Sequence, residues 1–420
     1  MSKIRENYVG AMDIGSNKCC VLIGISRSND ELEIIGFGEM PTEETVLKGD
    51  IIDMEQLMNQ FSIAMTTAEK MANISFADTY CIAVNVSGST MNFIPSVGSV
   101  TIKNADQRIT ENDYAEACEN AERFNIPANK FYLGMCESHS VINSSKPTTS
   151  PIGQSANKLD VHVLLQCIGL DELKNIKHLV ADLGIDEDRM DTIFSGIAGA
   201  YGVLSDSEKK NGTLLVDLGA GTTEYVVMNN YGFKAAGVLP VGMDHIINDL
   251  SLGLKLPMSL CRQLLESGKL EQIFKNNELF WEYELNRTTH KIPTSSLESI
   301  VNCRLQEIFE IIKTEIYKKN CHLDLNMGGV LIGGGALLSR SHEFFENTFS
   351  FKSRTGIAIG MTGNTGNLST PQYGATYGLL KLAHTCCIQN ELPDKNNNPV
   401  TMVVDNVVNI LNKVKDSIKI

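Results

Sequence analysis

Two stretches of this chain repeat one pattern, and the repeat limits what the chain can fold into. Val9 to Gly24 reads VGAMDIGSNKCCVLIG, and Thr213 to Met228 reads TLLVDLGAGTTEYVVM. Each is an apolar strand, an aspartate, an aliphatic residue, a glycine, small polar residues and a return strand. Asp13 corresponds to Asp217 and Gly15 to Gly219, 204 positions apart. Each turn is rich in backbone and poor in side chain, so main-chain N–H groups can approach an anion without interference from a Cβ. In the second copy Gly219, Ala220 and Gly221 form the turn and Thr222 and Thr223 add hydroxyl donors; in the first, Ser16, Asn17 and Lys18 add donors and one positive charge. A carboxylate beside a polyphosphate needs a cation, and Asp13 and Asp217 are suited to hold Mg²⁺ through its waters. A single copy would read equally as an ordinary hairpin whose aspartate starts a turn. Two copies predict two similar halves that clasp one polyphosphate.

A third glycine cluster lies in VLIGGGALL, Val330 to Leu338, where an apolar strand runs into Gly333, Gly334, Gly335 and Ala336. Bare backbone there suits a flat base or a ribose, although a lone run of three glycines is more often a helix N-terminal turn. A chain of 420 residues with 43% hydrophobic residues is large enough for two or more domains. Its 36 Lys and Arg against 50 Asp and Glu leave a net charge of −14, which argues against broad nucleic-acid binding. The 11 cysteines form no CxxC pair, which points to a reducing compartment and away from zinc. The start MSKIRENYVG has no apolar signal core, and no apolar run reaches the ~18 residues of a spanning helix. The expected location is therefore the cytoplasmic side. His139, His162, His178, His245, His290 and His322 are scattered and suggest no catalytic cluster.

In chain order, Leu32 to Met40 reads as a third strand. Asp53 to Ala72 reads as a helix with Met54, Leu57, Phe61, Ala64, Met65 and Ala68 on its apolar face, and Tyr80 to Val86 as a strand. Ser87 to Gly169 breaks the plan. It holds strands near Val97 to Ile102, Lys130 to Ile142 and Leu159 to Ile168, a helix over Glu111 to Phe124 capped by Thr110, and a polar loop at Asn143 to Asn157. One helix against a small sheet reads as an inserted α+β domain. Leu170 to Leu183 is a helix, and Met190 to Leu204 leads into the second hairpin. His245 to about Lys319 is mainly helical, interrupted at Glu282 to Pro293. Within it Ser295 to Ile316 buries Leu297, Ile300, Val301, Leu305, Ile308, Ile312 and Ile316.

The ordered set MDIGSNK, VDLGAGTTE and LIGGGA resembles the phosphate-1, phosphate-2 and adenosine motifs of the actin-like ATPase superfamily. Within that superfamily the chain, over about 1 to 420, is similar to the FtsA family of bacterial cell-division proteins. The finer matches are AVNVSGSTMNFIPSVGSV at 83 to 100, the run from 194 to 224, and LPVGMDHIINDLSLGL at 239 to 254. The resemblance implies an α/β, actin-like, two-lobed ribonuclease-H-like fold with an inserted α+β domain. Residues 1–86, 169–200 and 374–388 would form the first lobe, and 87–168 an SHS2-like interaction domain. Residues 201–243 and 328–373 would form the second lobe core, and 244–327 its helical subdomain.

The same resemblance implies bound ATP and Mg²⁺, with Gly242 added to the contacts named above. The family usually carries Ala-Glu-x-x-Lys for the ribose and adenine; here Cys261 and Leu264 stand at the Glu and Lys positions, and Arg262 is the substitute for part of that role. No residue is identified as a general base, so the implied ATPase activity is weak or absent. The implied partners are the acidic, apolar C-terminal peptide of FtsZ, other copies of the chain in a filament, and later division proteins. Arg287 and Arg304 are placed to meet the peptide's carboxylates, or are solvated surface charges. A pilus-assembly ATP-binding protein of the PilM type, or a small-molecule kinase of the superfamily, are the alternatives.

After a closing helix over Gly374 to Cys387 and a linker over 389–402, the tail reads VVDNVVNILNKVKDSIKI. At ~100° per residue Val403, Val407, Ile410, Leu411, Val414 and Ile418 share one face, and Asp405, Asn409, Asn412, Lys413, Asp416 and Lys419 lie opposite. Such a helix suits the inner membrane surface, as a peripheral anchor at the division site, or packs on the protein's own body or a neighbouring subunit.

Overall fold

A computed structural model describes residues 5–390, apart from 28–30, 43, 146, 286, 320 and 322–324. The linker beyond 390 and the amphipathic helix expected over 403–420 lie outside the described residues.

The chain opens with an antiparallel meander, β1 (Arg5–Ile14), β2 (Lys18–Ser26) and β3 (Leu32–Pro41). Seven consecutive residues of β2 are buried because both of its faces are covered, whereas β3 alternates buried and half-buried positions. A two-residue ladder, β4 (Val46–Leu47) with β5 (Asp50–Ile51), precedes α1 (Met54–Ala72). Asp53 caps α1 by accepting from the Gln56 N–H at 2.9 Å, and Asn73 ends it in the left-handed region at φ 56°. Leu57, Phe61, Ala64, Met65 and Ala68 form its buried stripe, while Met54 at its start is only partly covered. β6 (Thr79–Val86) then pairs in parallel with β1.

The next unit has its own sheet and core: β7 (Asn92–Thr101), α2 (Glu111–Glu122), β8 (Lys130–Ile142), β9 (Pro147–Thr148) and β10 (Lys158–Gly169), in the order β7-β10-β8-β9. β7 begins five residues before the expected Val97 because it pairs with β10 all the way from Thr101 opposite Lys158 to Asn92 opposite Cys167. It is an edge strand, so Pro95 is tolerated within it. Thr110 and Asp113 form a reciprocal capping box at the start of α2. Tyr114, Ala117, Cys118 and Ala121 of α2 pack in one cluster with Val100, Leu159, Val161 and Leu165.

α3 (Leu170–Asp182) returns the chain to β11 (Met190–Phe194), which lies parallel to β6. Then come α4 (Ser195–Val203), buried along its whole length, and the short α5 (Asp206–Asn211). The second half repeats the first: β12 (Thr213–Leu218), β13 (Thr223–Asn229) and β14 (Gly232–Leu239) form an antiparallel meander. A helical stretch follows, α6 (Met243–Leu254), α7 (Met258–Glu266) and α8 (Lys269–Lys275). The interruption expected at Glu282 to Pro293 is a β-hairpin, β15 (Phe280–Leu285) with β16 (Thr288–Pro293). α9 (Thr294–Lys318) buries Leu297, Val301, Leu305, Ile308, Phe309, Ile312 and Ile316, each worth about 1.5–3 kcal/mol of transfer free energy. Ile300, expected with them, is only partly covered.

β17 (Gly329–Ile332), α10 (Ser339–Phe349) and β18 (Ser353–Thr355) complete the second sheet in the order β14-β13-β12-β17-β18. The first sheet has the matching order β3-β2-β1-β6-β11, with β19 (Thr362–Gly363) added beyond β3. Both are a meander extended by two parallel strands, the duplicated two-lobed plan that the paired hairpins predict. α11 (Gly374–Asn390) carries the chain back onto the first lobe, where Tyr377, Leu379, Leu380 and Ala383 join its core.

Candidate functional site

The two Asp-Gly hairpins meet. The turn between β1 and β2 is closed by a hydrogen bond from Gly15 N–H to the Lys18 carbonyl at 3.1 Å. A Cβ on Gly221, in the turn between β12 and β13, would lie 2.5 Å from Ser16 Oγ, so only glycine lets the two turns come this close. They open on one cavity of about 510 Å³. Of the residues expected there from the sequence, Asp13, Gly15, Ser16, Asn17, Lys18, Asp217, Gly219, Ala220, Gly221, Thr222, Gly333 and Gly334 line it.

The remainder sit behind the wall, for local reasons. Thr223 is buried, and its hydroxyl donates to the Val241 carbonyl at 2.7 Å. Gly242 is packed under the second hairpin, where an added Cβ would meet the Ala220 carbonyl oxygen at 2.4 Å. Gly335 and Ala336 are buried in the tight turn after β17. Cys261 and Leu264 belong to the buried face of α7 and point into the helical core, so neither reaches the cavity. Lys18 is at the wall, but its ammonium lies 3.3 Å from Glu39 and 3.2 Å from the centre of the Tyr373 ring. Its charge is shared with groups of the first lobe.

Several lining residues were not singled out from the sequence. Asn85, at the end of β6, accepts the Ile14 N–H at 2.6 Å and donates to Ser195 Oγ at 3.1 Å, which ties three elements together at the cavity. A lone amide inside the apolar run TYCIAVNV was the available signal. Glu224, the last letter of VDLGAGTTE, also lines the cavity; Ser87 Oγ donates to its Oε1, while Oε2 is buried with no hydrogen-bond partner among the described residues. From the helical side Asp244, Glu266 and Gln272 face the same space.

The electrostatics are those of crowded carboxyls. Burial raises the Asp13 carboxyl above its usual range, although the Thr376 hydroxyl, which donates to it, and Lys18 pull it back. Burial first, and the Asp13 charge second, push Asp217 up to about 7. Burial, then Asp217, push Glu224 well above the ordinary value, against the Ser87 hydrogen bond. The raised Asp217 value means that above about pH 4 the folded protein keeps a proton the unfolded chain has released. Stability of the ligand-free protein from this group therefore falls as pH rises from about 4 to about 7. Asp217→Asn, which imitates the protonated form, should melt higher than the parent at pH 8 and lose most of that advantage near pH 5. An advantage that does not change with pH would contradict the assignment.

Arg304 and Arg287 lie away from the cavity lining. Arg304 donates from Nε and Nη2 to the two carboxylate oxygens of Asp249 on α6, at 2.8 and 3.1 Å, and also bonds Glu307. Its fork is occupied in joining α9 to α6. Arg287 is exposed in the β15–β16 turn, at φ 61°.

Comparison with known proteins adds the following. The sequence pattern of the family described as Cell division protein FtsA matches residues 214–378. The chain is 27% identical to the cell division protein FtsA of Neisseria meningitidis serogroup B over 402 residues, 94% of each chain. It is 26% identical to that of Borreliella burgdorferi, over 90% of this chain and 91% of the relative. Escherichia coli K12 FtsA is 24% identical, with 90% of each covered. Among solved structures, the PilM–PilN type IV pilus biogenesis complex superposes with TM-score 0.60 at 12% identity, covering 90% of this chain and 98% of that one. MreB5 of Spiroplasma citri bound to AMPPNP gives 0.53 at 11% identity, covering 92% and 100%. These structural likenesses establish the two-lobed actin-like fold.

Proposed function

We propose, from the premise that this is a cell-division protein of the FtsA type, that it binds Mg-ATP between its lobes and assembles on the cytoplasmic membrane to tether the FtsZ ring. The observation that carries this reading is the convergence of both Asp-Gly hairpins on one cavity that also includes the bare Gly334. A Cβ on Gly334 would meet only Gln372 Nε2 at 3.7 Å, which leaves an open shelf for the nucleoside.

The acidic groups fit a cation-bound polyphosphate. The half-buried Asp13 and Asp217 and the buried Glu224 line the cavity together with raised pKa values, and Glu224 Oε2 has no partner among the described residues. Among the described residues no three His, Cys, Asp or Glu side chains are set to ligate one metal directly, which suits Mg²⁺ held on phosphate with Asp13 and Asp217 reaching its waters. The metal would supply the positive charge that lets these carboxylates and a triphosphate share the cavity. Backbone of Gly15 to Lys18 and of Gly219 to Thr222 would hold the phosphates from opposite lobes. A ligand that bridges both hairpins favours the closed conformation, and closure would select the filament-forming state. Assembly and tethering, rather than turnover, are then the function.

In this reading Arg287 contributes to FtsZ peptide recognition from the exposed hairpin, and Arg304 shapes the same face through its Asp249 pair. The inserted unit of β7 to β10 serves contacts between subunits and with later division proteins. The likeness to the pilus complex is one of fold, whereas the sequence likeness over nine-tenths of the chain is to FtsA proteins. Calorimetry of ATP with and without Mg²⁺ tests the core of the proposal: binding should be at least about tenfold tighter with the metal. No heat under either condition would overturn it. The membrane reading is tested on the tail: Val407→Asp with Leu411→Asp should release the protein from anionic vesicles in co-sedimentation and leave ATP binding unchanged. Parent protein that ignores such vesicles would refute the anchor.

A further inference from the structure

We infer that Asp50 and Glu172 share one proton and so latch the roots of the inserted unit to the first lobe, a latch that releases when the proton is lost. The chain leaves the first lobe after β6 and returns to it at the start of α3, and the two crossings are bonded into one junction. Met91 N–H donates to the Gly88 carbonyl at 3.2 Å, Gly169 N–H to Thr90 Oγ1 at 3.0 Å and Leu170 N–H to the Asn129 carbonyl at 3.1 Å. Lys130, the first residue of β8, donates from Nζ to the Thr90 carbonyl. The turn between β4 and β5 reaches this junction from the first lobe. A Cβ on Gly49, at φ 87°, would stand 2.7 Å from Gly88 Cα, and one on Gly88, at φ 108°, would stand 3.3 Å from Asp50 Oδ1. Gly49 also lines the cavity, so the same turn touches the site on one side and the roots of the inserted unit on the other.

The chemistry of the pair supplies the switch. Asp50 Oδ1 and Glu172 Oε2 are both buried, and no N–H or hydroxyl among the described residues donates to either oxygen. The two carboxyls are hydrogen-bonded to each other. Ionised carboxylates only accept, so that bond exists only while one of them carries a proton. Burial first, and Asp50 second, hold Glu172 up to about 7, against the pull of Lys130 and the Gly169 N–H. Elsewhere on α3, Asp171 pairs with Lys174 at 3.5 Å and Lys177 with Glu187 at 3.7 Å, so Asp50 and Lys130 are the charges that face Glu172. Once the proton leaves, two carboxylates at bonding distance repel, and Lys130 can neutralise only one of them. The contact between β5 and α3 then opens, and the roots of the inserted unit are freed from the turn that carries Gly49.

The test is amide hydrogen exchange of the full chain at pH 6 and pH 8, corrected for the intrinsic pH dependence of exchange. It is read at Met91, Gly169 and Leu170, with the amides of α9 as the reference for global change. Opening returns Glu172 from about 7 toward its ordinary 4.5, so protection at the three amides should fall about tenfold more than at the reference over that range. Glu172→Gln, whose amide donates to Asp50 without titrating, should hold protection constant within about twofold. Asp50→Asn should do the same by donating to the Glu172 carboxylate, and it carries the test if the first variant fails to fold. Parent protection that is the same at both pH values overturns the latch. So does a folded Glu172→Gln or Asp50→Asn protein that keeps the parent's fall, since the proton would then reside elsewhere.

Discussion

Asp217→Ala is expected to weaken Mg-ATP binding by about 10- to 100-fold while changing metal-free ATP binding by no more than a few-fold. The side chain stands one residue before the end of β12, half-buried at the cavity with Asp13, and its carboxyl is held up to about 7 by desolvation and by that neighbour. Bringing in a cation reverses the sign of the effect: the charge that repels Asp13 in the ligand-free protein becomes the one that holds the metal's waters. Removing it therefore relieves the empty protein and handicaps the loaded one. Calorimetry at two metal concentrations reads the affinities, and a melting curve without ligand should show no loss of stability. Equal weakening with and without Mg²⁺ would mean that Asp217 shapes the turn and has no part in holding a cation.

Gly378→Val should cost at least about 3 kcal/mol of stability and abolish nucleotide binding along with it. α4 and α11 pack backbone against backbone: a Cβ on Gly378 would sit 1.7 Å from the Ala198 carbonyl oxygen, and one on Gly202 would sit 2.1 Å from that of Gly374. No side-chain rotation relieves a clash with a main-chain carbonyl, so the helices must separate. α4 is buried throughout, and α11 carries Ala375 at the cavity and Thr376, the hydroxyl donor to Asp13. The wedge therefore reaches the site as well as the core. Leu252→Ala, on a side chain 70% exposed, is the matched control and should leave the melting curve within experimental error. Denaturant unfolding of the two variants beside the parent decides, and a Gly378→Val protein as stable as the parent would refute the packing described.

What the sequence by itself determined was everything that depends on local period and on the chemistry of a short motif. Strand-Asp-aliphatic-Gly, twice, specified both hairpins and the aspartates at their ends. The 3.6-residue stripes of α1 and α9 specified which of their faces are buried, because such faces follow from backbone geometry over a few neighbouring residues. The break in the plan after Val86 likewise marked a separate sheet and helix. The resemblance of three ordered motifs then pointed to the family whose sequences match.

Only the tertiary structure decided which charges remain available. By sequence Arg304 is a charge on a helix face; in the fold Asp249, 55 residues earlier, occupies its fork. The motif puts Arg262 at the nucleotide, but it does not line the cavity and instead pairs with Asp244 and Glu266, which do. Glu224 and Ser87, 137 residues apart, meet only because β6 and β13 belong to lobes that face each other. Ion pairs and buried hydrogen bonds form between whichever groups the packing of helices and sheets brings within about 3 Å, a distance that carries no trace in sequence separation.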